Sequence, residues 1–209
     1  MSRLIDKTYR GAAVILLGLL AACNQTGGTI PTSTGSFASQ NSGFDICSGY
    51  GCKIKDRGRF SQEQFEKLSD IMAAGQTSPA AERKAIAQAI STMETMSRQK
   101  LRYSRDIAFS YQRNAGRRGQ MDCVDESLNT TQYLTFLHRT GLLKHHVPVK
   151  SYAERGFLLD GRYPHKSARM RQKGGKQWAV DSWKGDDGAL PEVMPLSVWY
   201  KQDNNASNY

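Results

Sequence analysis

The chain has 209 residues, 29 Lys and Arg against 19 Asp and Glu, and a formal net charge of +10. That length is enough for one domain with its own core. The basic excess is spread along the chain without a dense Lys/Arg block or a nucleic-acid-binding motif, so nucleic acid is excluded as a partner and anionic headgroups or an acidic envelope polymer are the better electrostatic match.

Residues 1–22 read as a lipoprotein signal peptide. Arg3, Lys7 and Arg10 form a basic start, and Gly11 to Leu20 is an apolar run too short to span a bilayer as a stable helix. The run ends in Leu20-Ala21-Ala22-Cys23, an arrangement that resembles a bacterial lipobox with Cys23 as the lipidated first residue of the mature chain. Loss of the signal removes three positive charges and one negative, leaving about 187 residues and a charge of about +8. The expected location is the bacterial envelope, lipid-anchored and facing the periplasm, with the outer membrane favoured. Residues 23–43 then form the lipidated cysteine and a Ser/Thr/Gly/Asn/Gln-rich flexible tether, and 44–209 form the domain.

Within the domain, residues 44–60 predict a short hairpin. Cys47 and Cys52 lie in Cys-Ser-Gly-Tyr-Gly-Cys, whose two glycines permit a tight reversal, and in an oxidising compartment the pair reads as a disulfide worth about 2 kcal/mol. Ser61 with Gln64 has the form of a capping box and opens a helix with Phe65, Leu68, Ile71 and Met72 on one face. Ser78-Pro79 opens another, running to about residue 102, with Ile86, Ile90, Met93 and Met96 as its apolar stripe. A polar loop over 110–121 delivers the chain to Asp122, an N-cap, and a third helix begins with Cys123. Asp125 and Glu126 suit its first turn, Leu128, Tyr133, Leu134, Phe136 and Leu137 its buried face, and Gly141 its end. Beyond residue 145 the pattern turns to strands over 145–152, 156–160, 164–172 and 176–183, with Gly174-Gly175 closing one hairpin. Helices followed by an antiparallel sheet define an α+β fold.

With Cys23 lipidated and Cys47 paired to Cys52, Cys123 is an unpaired thiol outside the cytosol. It reads as a nucleophile, as a redox-sensing or intermolecularly bonded thiol, or as a small buried residue. Its place at the first turn of a helix favours a thiolate, whereas Asp122, Asp125 and Glu126 oppose one, so a histidine partner would decide. His138 lies four turns away on the same helix, and His145 and His146 follow that helix's end as structural or exposed residues. His165 sits on a strand sixteen residues before Asp181 on the next. A two-residue turn at Gly174-Gly175 would put these two on opposite faces. A three-residue loop over 173–175 opposes 172 to 176, and with that 167 to 181 and 165 to 183, placing His165 and Asp181 on one face.

Asp122-Cys123-Val124-Asp125 ahead of an amphipathic helix, then His165, then Asp181 in Trp-Ala-Val-Asp-Ser-Trp, resembles the bacterial transglutaminase-like, papain-related cysteine proteinases. The segment from about 117 to 200 is also similar to a group of proteobacterial envelope proteins sharing these elements. The resemblance implies a papain/transglutaminase-like core with Cys123 as nucleophile, His165 as general base and acid, and Asp181 as the orienting residue. It further implies hydrolysis or transfer of an amide bond in a peptide or peptidoglycan substrate, without a cofactor. Val124 stands where these proteinases often carry an acid implicated in calcium binding, so no metal site carries over. Gln120 is the side-chain candidate for an oxyanion donor beside the Cys123 N–H; Trp178 and Trp183 pack around the acid, and Asn129 bonds locally. The alternative is a catalytically silent envelope lipoprotein of the same fold, acting as a binding or scaffold module.

Overall fold

The structure is a computed structural model describing residues 43–109, 114–156 and 164–202. The signal peptide, Cys23, the tether up to residue 42, part of the 110–121 loop and most of the 156–160 segment lie outside the described residues.

The order is β1 (Phe44–Ser48), β2 (Ile54–Gly58), α1 (Gln62–Ala73), α2 (Pro79–Leu101), α3 (Cys123–Arg139), β3 (His146–Arg155), β4 (His165–Gln172), β5 (Gln177–Asp181), β6 (Glu192–Pro195) and α4 (Leu196–Trp199). This is an α+β arrangement with two antiparallel sheets, β1-β2 and β3-β4-β5-β6. Side chains fix the helix starts. Ser61 and Gln64 form the reciprocal capping box of α1, and Ser78 accepts the Ala81 N–H with Pro79 as the first helical residue of α2. At the end of α3, the Leu142 N–H reaches the Leu137 carbonyl and the Gly141 N–H the His138 carbonyl. That pairing needs the left-handed φ of +77° at Gly141, which glycine adopts without cost.

β6 and α4 were not anticipated, and β5 ends at Asp181, so Ser182 and Trp183 lie beyond the strand. The hairpin between β4 and β5 has the three-residue loop. Ala168 faces Val180 and Met170 faces Trp178, and the Gln172 N–H donates to the Lys176 carbonyl at 2.8 Å.

That register sorts the sheet into two faces. Ala168, Met170, Trp178 and Val180 join the main core with Leu68 and Met72 of α1, Ile86, Ile90 and Met93 of α2, and Tyr133, Leu134, Phe136 and Leu137 of α3. Phe44 and Phe60 close this core from the hairpin side, their ring centroids 4.8 Å apart. Leu128 is only half-buried, while the polar Asn129 and Thr130 beside it are buried. On the other face, Ala153 and Ala179 pack against Leu196 and Trp199 of the short helix α4. Among the described residues no helix is long and apolar enough to cross a membrane.

Candidate functional site

The site forms at the end of the larger sheet where β4 begins and β5 ends. His165 is the first residue of β4 and Asp181 the last of β5. Both side chains are buried, and His165 Nε2 lies 2.7 Å from Asp181 Oδ2. An acceptor on Nε2 fixes the proton there in the neutral ring and leaves the lone pair on Nδ1. His165 Nδ1 is buried and has no hydrogen-bond partner among the described residues.

Aromatic rings hold the imidazole. Trp183 stacks on it with centroids 4.8 Å apart, and Trp199 lies against it at 5.6 Å. The Trp199 indole also donates from Nε1 to Asp181 Oδ2 at 2.7 Å. Burial alone would raise the Asp181 pKa. The His165 hydrogen bond and charge, the Trp199 N–H and the Lys184 charge outweigh it, and the carboxyl sits below its ordinary value.

Cys123 is the first residue of α3. Asp122 caps the helix by accepting the Val124 and Asp125 N–H groups, and the Asp125 carboxylate accepts the Asp122 N–H in return. The Cys123 N–H is one of the orphan donors of the helix start. The thiol meets the backbone N–H of Lys166, the residue after His165. Burial pushes it up to about 11; the Lys166 N–H and charge pull down, while Asp122 and Asp181 push further up. α3 packs on the face opposite to His165, the thiol meets the N–H of the residue that follows it on β4, and thiol and imidazole are not hydrogen-bonded among the described residues.

Other expectations are redistributed. Cys47 and Cys52 form the disulfide, and Cys123 is the free cysteine among the described residues. Gln120 is not placed to serve an oxyanion: its side-chain N–H groups go to the Arg105 carbonyl at 2.8 Å and the Ser104 hydroxyl at 3.4 Å. Asn129 bonds across the fold rather than locally, accepting from the Cys47 N–H at 2.7 Å and donating to the Cys47 carbonyl at 2.9 Å. Trp178 faces the helices, away from Asp181, with the Arg83 guanidinium 3.6 Å above its ring. His146 is structural, its Nδ1 2.6 Å from Glu82 Oε2. Cys47, Cys52 and Asp125 bring potential metal-binding atoms within 4.8 Å of one another, but the sulfurs are bonded together and leave no thiolate to ligate.

Asp125 grips the disulfide loop. Gly49, Tyr50, Gly51 and Cys52 all have positive φ, which turns their N–H groups toward one side. Asp125 accepts from Tyr50 at 2.8 Å and Cys52 at 2.6 Å, and Asp122 from Gly51 at 3.1 Å. Glu126 points elsewhere, into a buried acidic cluster with Glu94, Asp106 and Asp187.

Trp199, Lys166 and Arg155 went unread in the sequence. Trp199 carried no local signal beyond being an aromatic residue near the end of the domain. Its role arises from β6 and α4 folding back over β5.

Fold and site together define a class: an α+β domain with a helix-start cysteine and a buried His–Asp pair at a sheet end. Beyond the class, comparison of the chain with protein-family models, curated proteins and solved structures finds no match.

Proposed function

We propose that this is an envelope lipoprotein with a papain- or transglutaminase-like core, whose Cys123, His165 and Asp181 hydrolyse or transfer an amide bond of a peptide or peptidoglycan substrate through a thioester. The observation that carries the reading is the state of His165. Asp181 occupies Nε2 and Nδ1 is left without a partner, at the sheet end where the Cys123 thiol meets the neighbouring N–H.

The chemistry follows from those positions. The thiol rests protonated, so its proton passes to His165 Nδ1 as sulfur attacks the carbonyl carbon. The oxyanion takes the Cys123 N–H, strengthened by the positive end of α3. The imidazolium, stabilised by Asp181, returns the proton to the departing amine, leaving a thioester. Water, deprotonated by the same nitrogen, cleaves the thioester and regenerates the thiol. An amine acceptor in place of water gives transamidation.

The lipid anchor rests on the Leu20-Ala21-Ala22-Cys23 sequence. Mass spectrometry of the membrane fraction tests it, since Cys23→Ser should lose both the lipid mass and the partitioning. For the chemistry, a peptidyl thiol-reactive acyl probe should label the wild-type chain at Cys123, fail with Cys123→Ala, and label His165→Ala on the order of a hundredfold more slowly. Labelling indifferent to His165 would reject the mechanism.

A second reading has its own support. The raised thiol pKa and the missing thiol–imidazole bond suit a catalytically silent binding or scaffold module of the same fold. It predicts no labelling of the wild-type chain.

A further inference from the structure

We infer that Trp199 is a positioning residue for the His165–Asp181 pair, holding the Asp181 carboxylate through its indole N–H. The inference rests on the reading of this pair as reaction machinery, and it concerns a residue that the motif around Cys123, His165 and Asp181 does not contain.

The geometry is convergent. Asp181 Oδ2 accepts two ring N–H groups, from His165 Nε2 and Trp199 Nε1, each at 2.7 Å. The indole is wholly buried and its ring lies against the imidazole. One side chain therefore fixes both the acceptor and the plane of the ring that uses it. Indole is a donor without an acceptor and does not titrate, so it can only favour the ionised carboxylate. An ionised Asp181 keeps the proton on Nε2 and the lone pair on Nδ1, the nitrogen that must take the thiol proton.

Trp199 is itself fixed from β3, a strand of the same sheet. Arg155, which pairs with His165 across the β3-β4 ladder, sends Nη1 to the Trp199 and Gln202 carbonyls. Its guanidinium also lies 4.3 Å from the centroid of the indole. The other charge near the carboxylate, Lys184, has its Nζ shared between Glu192 and Gln202 at 3.0 Å each. The indole is thus the second direct donor to Asp181, after the imidazole.

Trp199→Phe keeps an aromatic ring and removes the N–H. Carbon-13 NMR of the side-chain carboxyl should show Asp181 titrating at higher pH in this variant than in wild type. Probe labelling of Cys123 should fall roughly tenfold, as for loss of a hydrogen bond to a charged group. An unchanged Asp181 titration in a folded Trp199→Phe would overturn the inference. If the variant fails to fold, the wild-type chain decides: the Trp199 indole N–H resonance should move as Asp181 titrates, and a resonance indifferent to that titration overturns it equally. The NMR results require no activity, so absent labelling of the wild-type chain would count against the hydrolase reading and leave the role of Trp199 to the titration.

Discussion

Asp181 is held by two ring donors on one oxygen, which makes its charge state the pivot of the site. Asp181→Asn preserves shape but can turn an amide N–H₂ toward His165 Nε2. The imidazole proton would then move to Nδ1, the wrong nitrogen for a base. Probe labelling of Cys123 should drop on the order of a hundredfold or more while the fold persists. The thiol supplies a second test. With its pKa up at about 11, alkylation by iodoacetamide should be slow at neutral pH and keep accelerating past pH 9. A plateau below pH 9 would contradict its burial. Much at this scale was legible beforehand, because parity along a strand is a strict rule: once the loop after Gln172 had three residues, His165 and Asp181 had to share a face. Trp199 was not legible, because no spacing or alternation connects position 199 to position 181. Gln120 was misplaced because nearness in sequence to a helix start does not specify where an amide points.

The hairpin and α3 stabilise each other through the disulfide loop. Tyr50 and Cys52 adopt left-handed φ values of 72° and 57°, a cost for residues with side chains. It is offset by charge-assisted bonds from their N–H groups to the Asp125 carboxylate. Caps, helix limits and the hairpin were readable from the sequence because each rests on local chemistry. The clamp of Asp125 on Tyr50 and Cys52 was not, because it joins segments more than seventy residues apart. Asp125→Asn loses one carboxylate oxygen and sets an N–H₂ against a backbone donor, which should cost about 2 kcal/mol in urea unfolding. Replacing Cys47 and Cys52 with serine should cost about 2 kcal/mol through the released loop. Because both changes loosen the same loop, the combined variant should lose measurably less than the sum. Strict additivity would show that the carboxylate and the disulfide act independently.

Across the whole molecule, packing α2 and α3 against the loop after β5 gathers Glu94, Asp106, Glu126 and Asp187 in one buried region, where Glu94, Glu126 and Asp187 line a small cavity with Arg98 and Tyr133. Arg98 forms an ion pair with Asp187, and the Arg105 charge also acts on that carboxylate. Desolvation by burial, reinforced by neighbouring carboxylates, raises Glu94 from 4.5 to about 8 and Asp106 from 3.8 to about 7, and it raises Glu126 and Asp187 as well. A raised carboxyl keeps its proton in the folded state while the unfolded chain releases it. Stability must therefore fall as pH rises above about 4, through about 7 for Asp106 and about 8 for Glu94. The acids lowered by their partners, Asp181, Glu82 and Asp56, work in the opposite sense. Their contribution is present above the unfolded carboxylate range and is lost as pH falls below about 4. Both effects place the maximum near the acid end of the usual range. Glu94→Gln isolates the first: glutamine mimics the protonated acid, and its carbonyl can still accept the Gly188 N–H that Glu94 accepts. The variant should match wild type near pH 4 and pull ahead toward pH 8, by up to about 1.4 kcal/mol per pH unit, or roughly 3–5 °C in melting temperature. Parallel melting curves across that range would mean that Glu94 carries no extra proton in the folded chain.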